Sequence, residues 1–106
     1  MENQLLTAKN CRGNWGTLLL PINEDDSIDF HRLSDEIDLL IAARVDGIYS
    51  NGTAGEFHTQ TEHEFDRVNQ LLAAKCHASR MLFQIGASHP VPVTMVERIQ
   101  RTKSLH

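Results

Sequence analysis

Residues 46–56 read Asp-Gly-Ile-Tyr-Ser-Asn-Gly-Thr-Ala-Gly-Glu, and their types and spacing are the chain's clearest chemical signal. Gly47-Ile48-Tyr49 is a short apolar core, followed by small residues from Ser50 to Gly55 and closed by Glu56. That order fits a buried strand emptying into a tight turn. Gly52 and Gly55 are free to take positive φ or to admit a close neighbour. Thr53, between them, carries a hydroxyl that both donates and accepts. Successive backbone N–H groups in such a turn form a concavity suited to a carboxylate or phosphate. The turn from Gly52 to Gly55 is therefore a candidate anion-holding site. Glu56 reads as a brace that accepts backbone N–H bonds, ahead of a role in chemistry.

Other chemistries find less support. His58 and His63 are five apart and do not share a helix face. His63-Glu64-Phe65-Asp66-Arg67 fails the His-Glu-x-x-His zinc pattern at its last position, so no metal site is expected. Glu62, Glu64 and Asp66 beside Arg67 read as a solvated helix face, with acids in the first turn favoured by the helix dipole. A small phosphate- or nucleotide-binding module would use the Gly52–Gly55 turn, but the chain has neither a Gly-x-Gly-x-x-Gly nor a P-loop lysine. At 106 residues, 41% hydrophobic and 23% charged, the chain fits one small globular domain. Its net charge of −4, without a basic cluster, argues against a nucleic-acid partner. No apolar run approaches the ~20 residues of a membrane span. Met1-Glu2-Asn3-Gln4 does not look like a secretory signal, which points to the cytoplasm. Cys11 and Cys76 are spaced for neither metal nor redox work and read as reduced thiols.

The elements that position the turn follow in order. Residues 1–13 form a polar lead-in, and 14–106 the structured part. Asn14–Ile22, apolar on both faces, reads as a buried parallel strand in which Trp15 has only a packing role. An acidic turn at 23–27 leads to a helix with Ser27 or Asp29 as N-cap, its stripe Phe30, Leu33, Ile37, Leu40 and Ile41, closed by Arg44. Val45–Ser50 is the second strand. Thr61 and Glu64 have capping-box spacing for a helix with Phe65, Val68, Leu71 and Leu72 on one face, ending near Cys76. Arg80–Gly86 is the third strand. Pro92 sits in the first turn of a third helix whose stripe of Val93, Val96 and Ile99 is expected in the core. The pattern β-α-β-α-β-α repeats every ~30–35 residues, as in parallel α/β folds. It fits half of a doubly wound sheet or the opening of a (β/α)8 barrel, which in full needs ~200–250 residues.

Val45-Asp46-Gly47-Ile48 and then Asn51-Gly52-Thr53-Ala54-Gly55-Glu56 resemble the pyruvate-dependent class I aldolases of the dihydrodipicolinate synthase/N-acetylneuraminate lyase family. That family reads Gly-Val-Asp-Gly-Ile, then Gly-Thr-Thr-Gly-Glu, then a polar turn and a helix. Ser27-Ile28-Asp29 with Leu33 and Ile37 is similar to the family's first helix, and Gln84-Ile85-Gly86-Ala87 to the end of its third strand. The likeness covers residues 12 to 106. It implies an α/β fold, namely the first three βα units of a TIM (β/α)8 barrel, truncated. It also implies a lyase that binds pyruvate or a related small 2-oxo acid as a Schiff base on lysine, with no cofactor, in a parent that is a homo-oligomer, a tetramer. Thr53 matches the family threonine that holds the pyruvate carboxylate and joins the proton relay. Ala54 stands where a second threonine is usual and retains only its N–H, and Leu20-Pro21 replaces the usual Thr-Pro.

The family's Schiff-base lysine and shuttle tyrosine lie on later strands. Lys9, Lys75 and Lys103 fall in the lead-in and on helices, and Tyr49 lies within the second strand. By resemblance, the chain is thus expected to be an N-terminal fragment that does not catalyse aldol chemistry alone. The alternative is a non-catalytic chain that pairs with a separate second half or self-associates. Open strand edges invite such pairing. Leu18, Leu19, Leu20, Ile48, Leu82, Phe83 and Ile85 are expected to lose barrel-interior packing, each large side chain left wet forgoing ~1.5–3 kcal/mol.

Overall fold

The computed structural model describes residues 6–106. The first five residues of the expected 1–13 lead-in, and with them the reading of Met1–Gln4, lie outside that range. Six main elements alternate: β1 Trp15–Thr17, α1 Phe30–Ala42, β2 Gly47–Ser50, α2 Glu62–Ser79, β3 Phe83–Ile85 and α3 Pro92–Thr102, with a 3-10 turn at Lys103–Leu105. The strands form one parallel sheet in the order β1-β2-β3. Register is set by Trp15 opposite Gly47, Thr17 opposite Tyr49, Tyr49 opposite Gln84 and Ser50 opposite Ile85.

The helix signals act where the sequence places them. Asp29, not Ser27, caps α1 by accepting from the Arg32 N–H at 3.0 Å. Ser27 is engaged instead with Asp25. Thr61 and Glu64 close a full capping box on α2. That helix runs to Ser79, past the expected stop near Cys76, and ends because Arg80 turns left-handed (φ 58°). Strand β1 is shorter than Asn14–Ile22, because its far end turns back into the Ile22–Ile28 bridge that closes the acidic turn. Among the described residues, no helix is long and apolar enough to cross a membrane.

The core lies on one side of the sheet. Leu18, Ile48 and Phe83 point towards α1 and α2 and pack with Leu33, Ile37, Val68, Leu72 and Cys76. Each such burial stabilises by about 1.5–3 kcal/mol. Leu18, Leu20, Ile48 and Phe83 are therefore buried, against the expectation that they would lose their packing. The reason is the pleat: these side chains face the helices, and successive residues alternate faces. The opposite face carries Trp15, Thr17, Leu19, Tyr49 and Gln84, none of which joins that core, and Leu19 is 50% exposed.

Helix α3 departs from expectation more sharply. Val93, Val96 and Ile99 are 66%, 51% and 49% exposed, whereas Arg98 is wholly buried. The surface that α2 offers α3 is acidic, so α3 turns its basic edge inward. Arg98 forks onto Glu62, with Nη2 at 2.7 Å from Oε2 and Nε at 3.1 Å from Oε1. Its remaining nitrogen donates to the Ser88 carbonyl at 3.0 Å, and its guanidinium lies 4.5 Å from the centre of the Phe65 ring. Arg101 adds bonds to Glu62 at 2.8 Å and Asp66 at 2.9 Å. Glu62 and Asp66 thus join two helices and are not a solvated face, while Arg67 stacks on Phe30.

Cys11 is exposed and Cys76 buried, both as free thiols. Burial pushes the Cys76 thiol up to about 12, where almost none of it is the reactive thiolate at neutral pH. Iodoacetamide is therefore expected to label the native chain once, at Cys11, and to reach Cys76 only in denaturant. Intact mass before and after unfolding checks this, and double labelling of native protein would contradict the packing of Cys76.

Candidate functional site

The turn after β2 is built from its buried polar groups outward. Asn51 takes a left-handed conformation (φ 59°), which asparagine tolerates better than most residues, and Glu56 does the same (φ 57°). These two flanking residues supply the positive φ that the sequence suggested for Gly52 and Gly55. The glycines serve close approach instead. A Cβ on Gly55 would lie 2.9 Å from the Leu18 carbonyl, and one on Gly52 3.2 Å from the Tyr49 ring. Gly86 at the end of β3 is equally tight, its position 2.8 Å from the Ser50 and Asn51 carbonyls.

Beneath the turn runs a buried side-chain network. Ser50 donates to Asn69 Oδ1 at 2.6 Å, and Asn51 Nδ2 donates to the same oxygen at 3.2 Å. Gln60 Nε2 donates to Asn51 Oδ1 at 2.8 Å and to the Gly55 carbonyl at 3.3 Å. Asn69 closes the chain of bonds by donating to the Phe65 carbonyl at 2.9 Å. The Ser50–Asn51 end of the loop is thereby tied to Asn69 of α2, and Gln60, at the other end, is tied back to Asn51. Sequence reasoning missed this set. Its one signal was Asn69, a polar residue inside the apolar stripe of α2 between Val68 and Leu72.

Above the network, Thr53 and Ala54 are exposed. The Thr53 carbonyl accepts from Glu56 N–H at 3.1 Å and the Gly52 carbonyl from Phe57 N–H at 3.5 Å. The N–H groups of Thr53 and Ala54, and the Thr53 hydroxyl, donate to no other group among the described residues. The turn thus presents free donors at the C-terminal end of a parallel strand. Beside it, on the sheet face away from the helices, the Thr17 and Tyr49 hydroxyls share a hydrogen bond.

None of the chain's three lysines is bonded to the turn among the described residues. Lys75 pairs with Asp38 at 2.6 Å, Lys103 sits in the final 3-10 turn, and Lys9 lies in an exposed N-terminal turn. Glu56 braces the loop through its main chain, its carbonyl accepting from Thr59 N–H and hydroxyl at 3.1 Å. Glu56 also lines a separate cavity of about 330 Å³, together with Asp26, Thr59, Gln60 and Glu64. Gly52, Thr53 and Ala54 do not line that cavity. Among the described residues, no three histidine, cysteine or acidic side chains are placed to hold a metal ion.

Parallel strands in consecutive order, a helix after each, and a donor-rich turn at a strand's C-terminal end define the chain as three βα units of a (β/α)8 barrel. Residues 10–87 match the Dihydrodipicolinate synthetase family, and the chain belongs to that family. It is 31% identical over 94 residues to a 4-hydroxy-tetrahydrodipicolinate synthase of Thermomicrobium roseum, covering 89% of this chain and 30% of that protein. It is 27% identical over 99 residues to an N-acetylneuraminate lyase of Citrobacter koseri, covering 93% of this chain and 32% of that protein. A prophage protein of the dihydrodipicolinic acid synthase family from E. coli K12, solved in complex with pyruvate, superposes with a TM-score of 0.79 at 22% identity, covering 88% of this chain and 31% of that one. The chain thus spans less than a third of the length of these relatives.

Proposed function

We propose that residues 14–106 form the carboxylate-holding segment of a Schiff-base lyase that acts on pyruvate or a related 2-oxo acid. Thr53 contributes its hydroxyl and N–H, Ala54 its N–H, and Gly52 the close approach of the backbone. The observation that carries this reading is the pair of unengaged donors at Thr53 and Ala54 on a loop anchored at both ends. A carboxylate there accepts from preorganised backbone donors, which lose little freedom on binding. The pyruvate complex of the related prophage protein supports the ligand class.

The reaction also needs an amine that attacks the 2-oxo carbon and expels water to give an imine, the electron sink for carbon–carbon bond making or breaking. No lysine of this chain stands by the turn, so on this reading the lysine and the proton-shuttling tyrosine come from outside residues 1–106. The chain alone is then inactive. A second reading, a non-catalytic chain that pairs with a complementary segment or with itself, is favoured by the exposed stripe Val93, Val96 and Ile99.

Titration of the ¹⁵N-labelled chain with pyruvate, followed by borohydride reduction and intact mass, tests the proposal. Saturable amide shifts at Thr53 and Ala54, weakened in Thr53→Ala, are expected together with no covalent adduct. Shifts elsewhere or none would sink the carboxylate site. An adduct would overturn the statement that the lysine comes from elsewhere and direct attention to Lys9, Lys75 and Lys103.

A further inference from the structure

We propose that the hydroxyl pair of Thr17 and Tyr49 is a second binding element for the 2-oxo acid, giving its carboxylate an O–H donor from the sheet face away from the helices. The proposal rests on the carboxylate reading of Thr53 and Ala54 and deepens it. Tyr49 is the chain's only tyrosine. Its side chain runs beside the turn, since a Cβ on Gly52 would lie 3.2 Å from the Tyr49 ring. Its hydroxyl is hydrogen-bonded to that of Thr17 on β1. The ring thus reaches from Gly52 to the neighbouring strand.

The face that carries the pair is built unlike a packed layer. Thr17, Tyr49 and Gln84 lie opposite one another across the three strands. Bulky branched apolar residues dominate the inward layers of a (β/α)8 barrel, and polar groups placed there without partners are costly. Here two hydroxyls and an amide occupy the layer next to the turn. Gln84 is exposed, and its side-chain amide has no hydrogen bond among the described residues. One layer further from the turn, Trp15 lies over Gly47, where a Cβ would meet the indole at 2.6 Å. The polar row therefore has an apolar floor on one side and the free donors of the turn on the other.

Counting protons gives the pair its role. A hydroxyl carries one proton and two lone pairs. The bond between Thr17 and Tyr49 uses one of their two protons, so whichever hydroxyl accepts keeps an O–H without an acceptor among the described residues. A carboxylate offers about four lone-pair sites, and the turn fills three of them with the N–H groups of Thr53 and Ala54 and the Thr53 hydroxyl. The remaining O–H supplies the fourth donor, on a side chain that lies against Gly52. Both residues are half-buried, so a ligand can reach it. The bond between the hydroxyls fixes its direction, and an ionised acceptor makes it about twice as strong as a neutral one.

The test is a titration of the full chain with pyruvate, read at the ε-CH resonance of Tyr49 and at the Thr53 and Ala54 amides. All three signals should move with one apparent affinity. Tyr49→Phe keeps the ring against Gly52 and removes its hydroxyl, and Thr17→Val keeps the branch at Cβ and removes the other hydroxyl. Tyr49→Phe should bind pyruvate about ten-fold more weakly, the loss of one hydrogen bond to a charged group. Thr17→Val should also bind more weakly. The double variant should lose less affinity than the two single losses combined, because the hydroxyls act as one unit. Saturable shifts at Thr53 and Ala54 with a silent Tyr49, or wild-type affinity in both single variants, would overturn the proposal and leave the turn standing. Lower urea midpoints without weaker binding would then mark the bond as structural. A response at neither amide would sink the turn, and with it this extension of the site.

Discussion

Replacing Arg98 by alanine is expected to destabilise the chain by roughly 2–3 kcal/mol, lowering its urea midpoint more than any surface substitution. Breaking a buried pair costs about 3–5 kcal/mol when the partner is left buried and unmatched. The figure is reduced here because Glu62 is 42% exposed and keeps Arg101 at 2.8 Å. What remains is the lost packing of a fully buried side chain over Phe65 and the orphaning of the Ser88 carbonyl. With whole domains stable by about 5–15 kcal/mol, that is a large share. Lysine at position 98 keeps the charge but cannot reach two carboxylate oxygens and a carbonyl at once, so Arg98→Lys should fall between wild type and alanine.

The same pair has a pH signature. Hydrogen bonds from Arg98, opposed by partial desolvation and aided by Arg101, hold the Glu62 carboxyl down at about 2 against an ordinary 4.5. A depressed carboxyl binds fewer protons in the folded chain than in the unfolded one. Its contribution is therefore fully present above about pH 4.5 and is lost as pH falls towards 2. Stability measured from pH 6 down to 2 should fall with a steeper slope in wild type than in Arg98→Ala. Identical slopes would mean that the fork onto Glu62 does not form in solution.

The sequence showed most of the scaffold because local signals and the tertiary arrangement agree. Asp29, the Thr61–Glu64 box and Pro92 mark helix starts, and Gly47-Ile48-Tyr49-Ser50 marks the central strand. What was not legible depends on which neighbour a face meets. The stripe Val93, Val96 and Ile99 has proper helical spacing, and spacing cannot reveal that α2 turns acids towards α3. Likewise, apolar residues on both faces of β1 and β2 announce a buried parallel sheet, but not which residues face the helices. The turn was recognised from Gly52, Thr53 and Gly55. Its support was not, since a network of Ser50, Asn51, Gln60 and Asn69 spans twenty positions and has no periodicity to betray it.

That network makes Asn69→Leu the second large effect. Leucine matches asparagine in size and suits the apolar stripe, so the substitution isolates the loss of hydrogen bonding from the loss of volume. Ser50 loses its acceptor at 2.6 Å and Asn51 loses one at 3.2 Å, in a fully buried setting. Leaving buried groups unmatched costs about 1–3 kcal/mol each, so a destabilisation of roughly 2–4 kcal/mol is expected after partial rearrangement. The loss should be local as well as global, because Asn51 is the hinge at which the turn leaves β2. Amides of residues 52–60 should exchange with solvent faster in Asn69→Leu than global unfolding alone allows. Thr53→Ala is the contrast: Thr53 is exposed and donates to nothing among the described residues, so its loss should shift stability by no more than about 0.5 kcal/mol. Pyruvate-induced shifts should weaken in Thr53→Ala, which removes one donor of three, and vanish in Asn69→Leu, which removes the geometry that presents them. If Asn69→Leu retains both wild-type exchange at 52–60 and the pyruvate response, the loop is held by its backbone alone, and the buried network is a consequence of the turn and not its cause.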